Sequence, residues 1–114
     1  MKEFLFVFRN DYKEMAANTA PEVMQGMMKK WMDWMGGIAA QNKLANFGNR
    51  LGSAGKVVRP NGVITDGPYT EIKELIGGYI VVKADSFEEA AELAKGCPIL
   101  EAGGNVEVRD IVPM

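Results

Sequence analysis

The chain has 114 residues, 47% of them hydrophobic and 25% charged, and its 13 Lys and Arg against 15 Asp and Glu leave a formal net charge of -2. The basic residues are scattered, so there is neither the phosphate-backbone footprint of a nucleic-acid binder nor a polybasic membrane patch. With no His and one Cys, disulfides within the chain, His-ligated metals, Cys clusters and imidazole-dependent catalytic dyads are excluded. No metal and no cofactor is expected.

In chain order, Phe4 to Phe8 is apolar on both sides of an extended segment, the pattern of a strand covered on both faces. The run is too short for a signal peptide or a membrane span, so no membrane association and a cytoplasmic location are expected. Pro21 opens a segment to about Gln41. On a helical wheel at about 100° per residue, Met24, Met27, Met28, Trp31, Met32, Trp34, Met35 and Ile38 fall within one half of the circumference. Gly36 and Gly37 weaken the last turn and are expected to fray or end the helix.

Short extended segments follow around Asn46 to Leu51 and Lys56 to Val58. The Arg59-Pro60-Asn61-Gly62 turn should then pair Val57–Val58 with Val63–Ile64 as a hairpin. Leu75 to Ala84 reads as a strand in which Gly77 and Gly78 mark a bulge or a close approach. Ser86 and Glu89 form a capping-box pair for a second helix that Gly96 and Pro98 close, and Asn105 to Ile111 is the last strand. Residues 1–114 thus read as one α+β domain, a split βαβ arrangement of the ferredoxin-like kind, with an antiparallel sheet and both helices on one face. Because the first strand is apolar on both sides, the open face is expected to pack on a second copy as a two-fold homodimer.

The stretch Thr65-Asp66-Gly67-Pro68-Tyr69-Thr70-Glu71-Ile72-Lys73 is a turn in its plainest reading. Read functionally, it delivers Asp66 and Tyr69 to the end of the sheet beside Glu71, Lys73 and Tyr79, where a small polar molecule could be held and a proton moved. A carboxyl does that near neutrality only when it is withdrawn from water. Trp31, with the helical Met residues, roofs an apolar cavity in this reading, or belongs to plain core in the blander one. Arg9, Arg50 and Arg109 are an anion clamp if they converge and ordinary surface residues if they do not; Glu107 and Arg109, two apart, share a face. Cys97, past a helix C-terminus whose dipole raises a thiol pKa, reads as structural. Gly103-Gly104-Asn105 reads as a turn.

The run TDGPYTEIKELIGGYIVV, together with the apolar first strand, the Ser86–Gly96 helix followed by Cys-Pro, and the closing VEVR of Val106 to Arg109, resembles YCII-related domains of the DGPF type. The resemblance implies a ferredoxin-like domain that dimerises face to face as a dimeric α/β barrel. It also implies two kinds of biology: suspected enzymes with a His-Asp pair, and members linked to transcription initiation or found beside sigma factors. The Asp of the motif would be Asp66, but the absence of His excludes the pair, and Tyr69 stands where the family usually has Phe.

The candidate site is therefore Asp66 for cofactor-free proton transfer, with Tyr69, Glu71, Lys73, Tyr79, Arg109 and Trp31 for ligand binding. The alternative is a non-catalytic interaction module with a transcription-related protein partner.

Overall fold

A computed structural model describes residues 1–10, 20–52, 54–67 and 75–114. The strands are β1 (Lys2–Asn10), β2 (Leu44–Arg50), β3 (Gly55–Val58), β4 (Ile64–Gly67), β5 (Leu75–Ala84) and β6 (Asn105–Asp110); the helices are α1 (Pro21–Ala40) and α2 (Phe87–Ala94). Among the described residues, four strands form one antiparallel sheet in the order β2-β5-β1-β6, while β3 and β4 pair only with each other.

Period-two alternation in β1 sends Phe4, Phe6 and Phe8 into the core and Leu5 and Val7 to the opposite face, where they are half-buried. Ile80, Val82 and Ala84 of β5 join the core side, and each fully buried large side chain contributes roughly 1.5–3 kcal/mol. The covering stripe of α1 is narrower than its wheel predicts. Trp31, Trp34, Met35 and Ile38 pack on the sheet, whereas Met24, Met28 and Met32 are exposed.

The helix also runs through Gly36 and Gly37 to Ala40. Ile38, 2% exposed, anchors the final turn in the core. Asn42, left-handed at φ 59°, terminates the helix: its N–H donates to the Ala39 carbonyl, and the Lys43 N–H donates to that of Ile38.

The Ser86 hydroxyl accepts from the Glu89 N–H at 3.1 Å, while the Glu89 carboxylate accepts from the Asp85 N–H. Both readings of the glycine pair hold. Gly77 is the bulge, skipped between the Phe8–Gly78 and Arg9–Ile76 pairs, and Gly78 is the close approach, since a Cβ there would lie 2.8 Å from the Asn49 carbonyl oxygen. Among the described residues, no helix is long and apolar enough to cross a membrane.

Candidate functional site

The register places two rows of side chains across the face of the sheet that the helices leave open. One row runs Asn49, Tyr79, Val7, Glu107 over all four strands; the next runs Asn46, Val81, Leu5, Arg109. An apolar centre of Leu5, Val7 and Val81 is thus bordered by polar groups on both sides. The Asn49 amide donates to the Tyr79 hydroxyl oxygen at 3.4 Å, which leaves the phenol proton available to a ligand.

At the β6 border, Arg9 donates to Glu107 through Nε at 3.0 Å and Nη2 at 2.9 Å, and Arg109 Nη1 donates to the other Glu107 oxygen at 3.3 Å. The hydrogen bond from Arg9 holds the Glu107 carboxyl below its usual pKa, with Arg109 adding to the effect. Arg9 and Arg109 therefore do converge, but on a carboxylate of their own chain. Arg50 lies on β2, at the opposite edge of the sheet.

Asp66 stands on β4, directly across the hairpin from Lys56, whose Nζ is 2.6 Å from Asp66 Oδ1. Its side chain is 92% exposed within the single chain. Tyr69, Glu71 and Lys73 lie outside the described residues.

Trp31 occupies a different place from the one expected. Its ring meets Phe8 edge-on at 4.7 Å, on the helix-covered face, whereas Tyr79 pairs with Val7 on the open face. Trp31 therefore cannot roof a pocket that contains Tyr79, because the sheet lies between them. The indole of Trp34 is likewise committed to the helix layer, donating to the Leu93 carbonyl at 2.9 Å.

Asn49 completes the polar border, and sequence reasoning did not select it. Alternation within one strand showed that Glu107 and Arg109 share a face; which residues of other strands lie opposite them depends on cross-strand register. Cys97 is buried, and burial, rather than the helix dipole, pushes its thiol up to about 12. Among the described residues, no cluster of three or more His, Cys, Asp or Glu could hold a metal ion.

Among the described residues, four antiparallel strands with two helices on one side and a bordered open face on the other define an α+β protein of the ferredoxin-like class. The family model of the YCII-related domain matches residues 4–114, and the chain belongs to that family. Three solved chains match the structure. One is 5-chloro-2-hydroxyhydroquinone dehydrochlorinase from Burkholderia phenoliruptrix AC1100, solved in complex with 2,5-dihydroxybenzoquinone. It is 14% identical, the match covers 98% of this chain and 95% of that one, and the TM-score is 0.54. At that identity the likeness is one of fold. No curated protein matches the chain.

Proposed function

We propose that this YCII-related protein binds a small polar molecule at the open sheet face beside the DGP loop, as a homodimer whose two open faces meet, and that Asp66 serves as a cofactor-free proton-transfer group. The observation that carries the reading is the bordered apolar patch: Leu5, Val7 and Val81 flanked by the Tyr79 hydroxyl and the Arg109 guanidinium. A flat ring rests on such a patch through its apolar face, while ring oxygens meet the donors at its rim.

The dihydroxybenzoquinone bound by the fold neighbour is a molecule of that chemistry and serves as a probe. Tyr69, Glu71 and Lys73 follow Asp66 in the chain and add a phenol, a carboxylate and an ammonium to the ligand groups.

Calorimetric titration with 2,5-dihydroxybenzoquinone tests the reading. The expected result is saturable binding, weakened about tenfold, on the order of 1.4 kcal/mol, in Tyr79→Phe. In Asp66→Asn, binding or turnover should be abolished with the melting temperature unchanged. Absence of saturable binding to the folded protein, or variants that bind as the wild type does, would overturn it. Recovery of a polymerase component in a pull-down, with no small-molecule binding, would replace it with the interaction-module reading.

A further inference from the structure

Hydrogen-bond donors and acceptors are out of balance along the border of the open sheet face. On β2, the Asn46 amide oxygen accepts from the Gly48 N–H at 2.7 Å, which fixes the orientation of the amide and leaves its NH2 group as a donor. Tyr79 accepts from Asn49 and keeps its phenol proton. On β6 the strong acceptor is the Glu107 carboxylate, and it is taken: Oε1 receives Arg9 Nε and Nη2, and Oε2 receives Arg109 Nη1, which fills three of its roughly four acceptor sites. What remains on the acceptor side of the two rows is neutral, the Asn49 amide oxygen and the second lone pair of the Tyr79 hydroxyl.

The two arginines play different parts. Arg9 gives Glu107 two hydrogen bonds, at 3.0 and 2.9 Å, from a side chain that is 26% exposed. Arg109 gives it one, at 3.3 Å, from a side chain that is 68% exposed, and a pair so open to water is weak. Arg9 is thus the counter-ion of Glu107. Arg109 keeps its charge at any pH the fold survives and holds most of its five donors in reserve.

Resting on the reading above, that a flat ring lies on Leu5, Val7 and Val81, we propose that the ring is taken up as an anion. The ligand carries an ionised oxygen, as an enolate, a phenolate or an aryl carboxylate, and Arg109 is the residue that selects its charge.

A protonated hydroxyl must donate, and the acceptor best suited to it is already engaged. An ionised oxygen only accepts, and it meets the Arg109 guanidinium, the Tyr79 hydroxyl and the Asn46 amide. Such charge-assisted hydrogen bonds are about twice as strong as neutral ones. Arg109 pairs with Leu5 and Tyr79 with Val7, so the two donors stand on a diagonal across β1. Two interstrand spacings of about 4.8 Å and two residue steps of about 3.4 Å put their Cα atoms roughly 12 Å apart, a span that two long side chains close over a single ring. The chain as a whole is acidic, at -2, so attraction of an anion is local to this border and is screened by salt.

Calorimetric titration with two rings tests the charge. The hydroxyls of 2,5-dihydroxybenzoquinone are conjugated with the ring carbonyls and are ionised at neutral pH; 2,5-dimethoxybenzoquinone keeps the ring and its oxygens without the charge. The dihydroxy ring is expected to bind the native chain about tenfold more tightly than the dimethoxy ring, with an affinity that falls as salt is added. In Arg109→Gln the dihydroxy ring should lose about tenfold and the dimethoxy ring nothing, so that the preference disappears. Equal binding of the two rings by the native chain, or an equal loss for both in Arg109→Gln, overturns the anion and leaves the ring reading intact. Absence of saturable binding by either ring to the folded chain overturns both. The comparison on the native chain needs no variant, so it decides even if Arg109→Gln fails to fold.

Discussion

The indole Nε1 of Trp34 donates to the Leu93 carbonyl at 2.9 Å, and this bond ties the long helix to the short one over the sheet. The same ring lies 6.3 Å from Phe6, nearly parallel to it, and edge-on to Phe8 at 6.0 Å, so one side chain joins three elements. Trp34→Phe keeps an aromatic body and removes the donor. We expect a loss of about 1–3 kcal/mol, the cost of an unpaired carbonyl in a partly buried place. Urea unfolding followed by circular dichroism measures it, and an unchanged midpoint would show that water replaces the bond.

Gly48 should not tolerate a side chain. Its φ is +62°, and a Cβ built there falls on the Tyr79 carbonyl oxygen in the adjacent strand. Gly48→Ala must therefore pull β2 away from β5, beyond the roughly 1–3 kcal/mol that a left-handed non-glycine residue costs. The melting temperature should fall, with faster hydrogen exchange at the Leu51 N–H, which donates to the Gly77 carbonyl.

Acid should weaken the sheet at its β6 border. The folded-state pKa of Glu107 is depressed below 4.5 by its hydrogen bond with Arg9. Its contribution is therefore present above the unfolded value and is lost as pH falls through the folded one. Glu89 is depressed in the same direction, chiefly by Lys43. In Glu107→Gln, the fall in melting temperature between pH 5 and pH 3 should be shallower than in the wild type. Parallel curves would show that the pair contributes nothing to acid stability.

Cys97 should be silent toward a thiol reagent at pH 8 in the folded protein and react at once in denaturant. Burial lifts its pKa to about 12, which removes the reactive thiolate. Labelling of the native protein at the rate of a free thiol would contradict this.

Asp66→Asn and Lys56→Ala should each leave stability within about 1 kcal/mol of the wild type, since an exposed ion pair is worth about that much or less. Thermal unfolding of each variant beside the wild type provides the comparison.

Local pattern made the elements legible. Alternation in β1, turn chemistry at Asn61-Gly62 and the Ser86 cap all depend on neighbours within a few residues, and each appears where the sequence placed it, although the hairpin's register differs by pairing Val57 with Thr65 and leaving Val63 to the turn. The end of α1 was not legible in the same way. Gly36 and Gly37 disfavour helix locally, but Ile38 beyond them is held in the core, and packing outweighs a propensity of about 1 kcal/mol per glycine.

By itself, the sequence determined the strand and helix order, the motif that marks the family, and the two-sided apolar character of β1, because these are encoded in residue identity and short spacing. Only the tertiary structure decided which distant residues meet. It set Tyr79 beside Val7 and Glu107 beyond it, put Trp31 on the far side of the sheet, and left Asp66 on an outlying hairpin. The physical reason is cross-strand register: a shift of one residue turns a side chain to the opposite face, and hydrogen bonds between segments far apart in the chain fix that register.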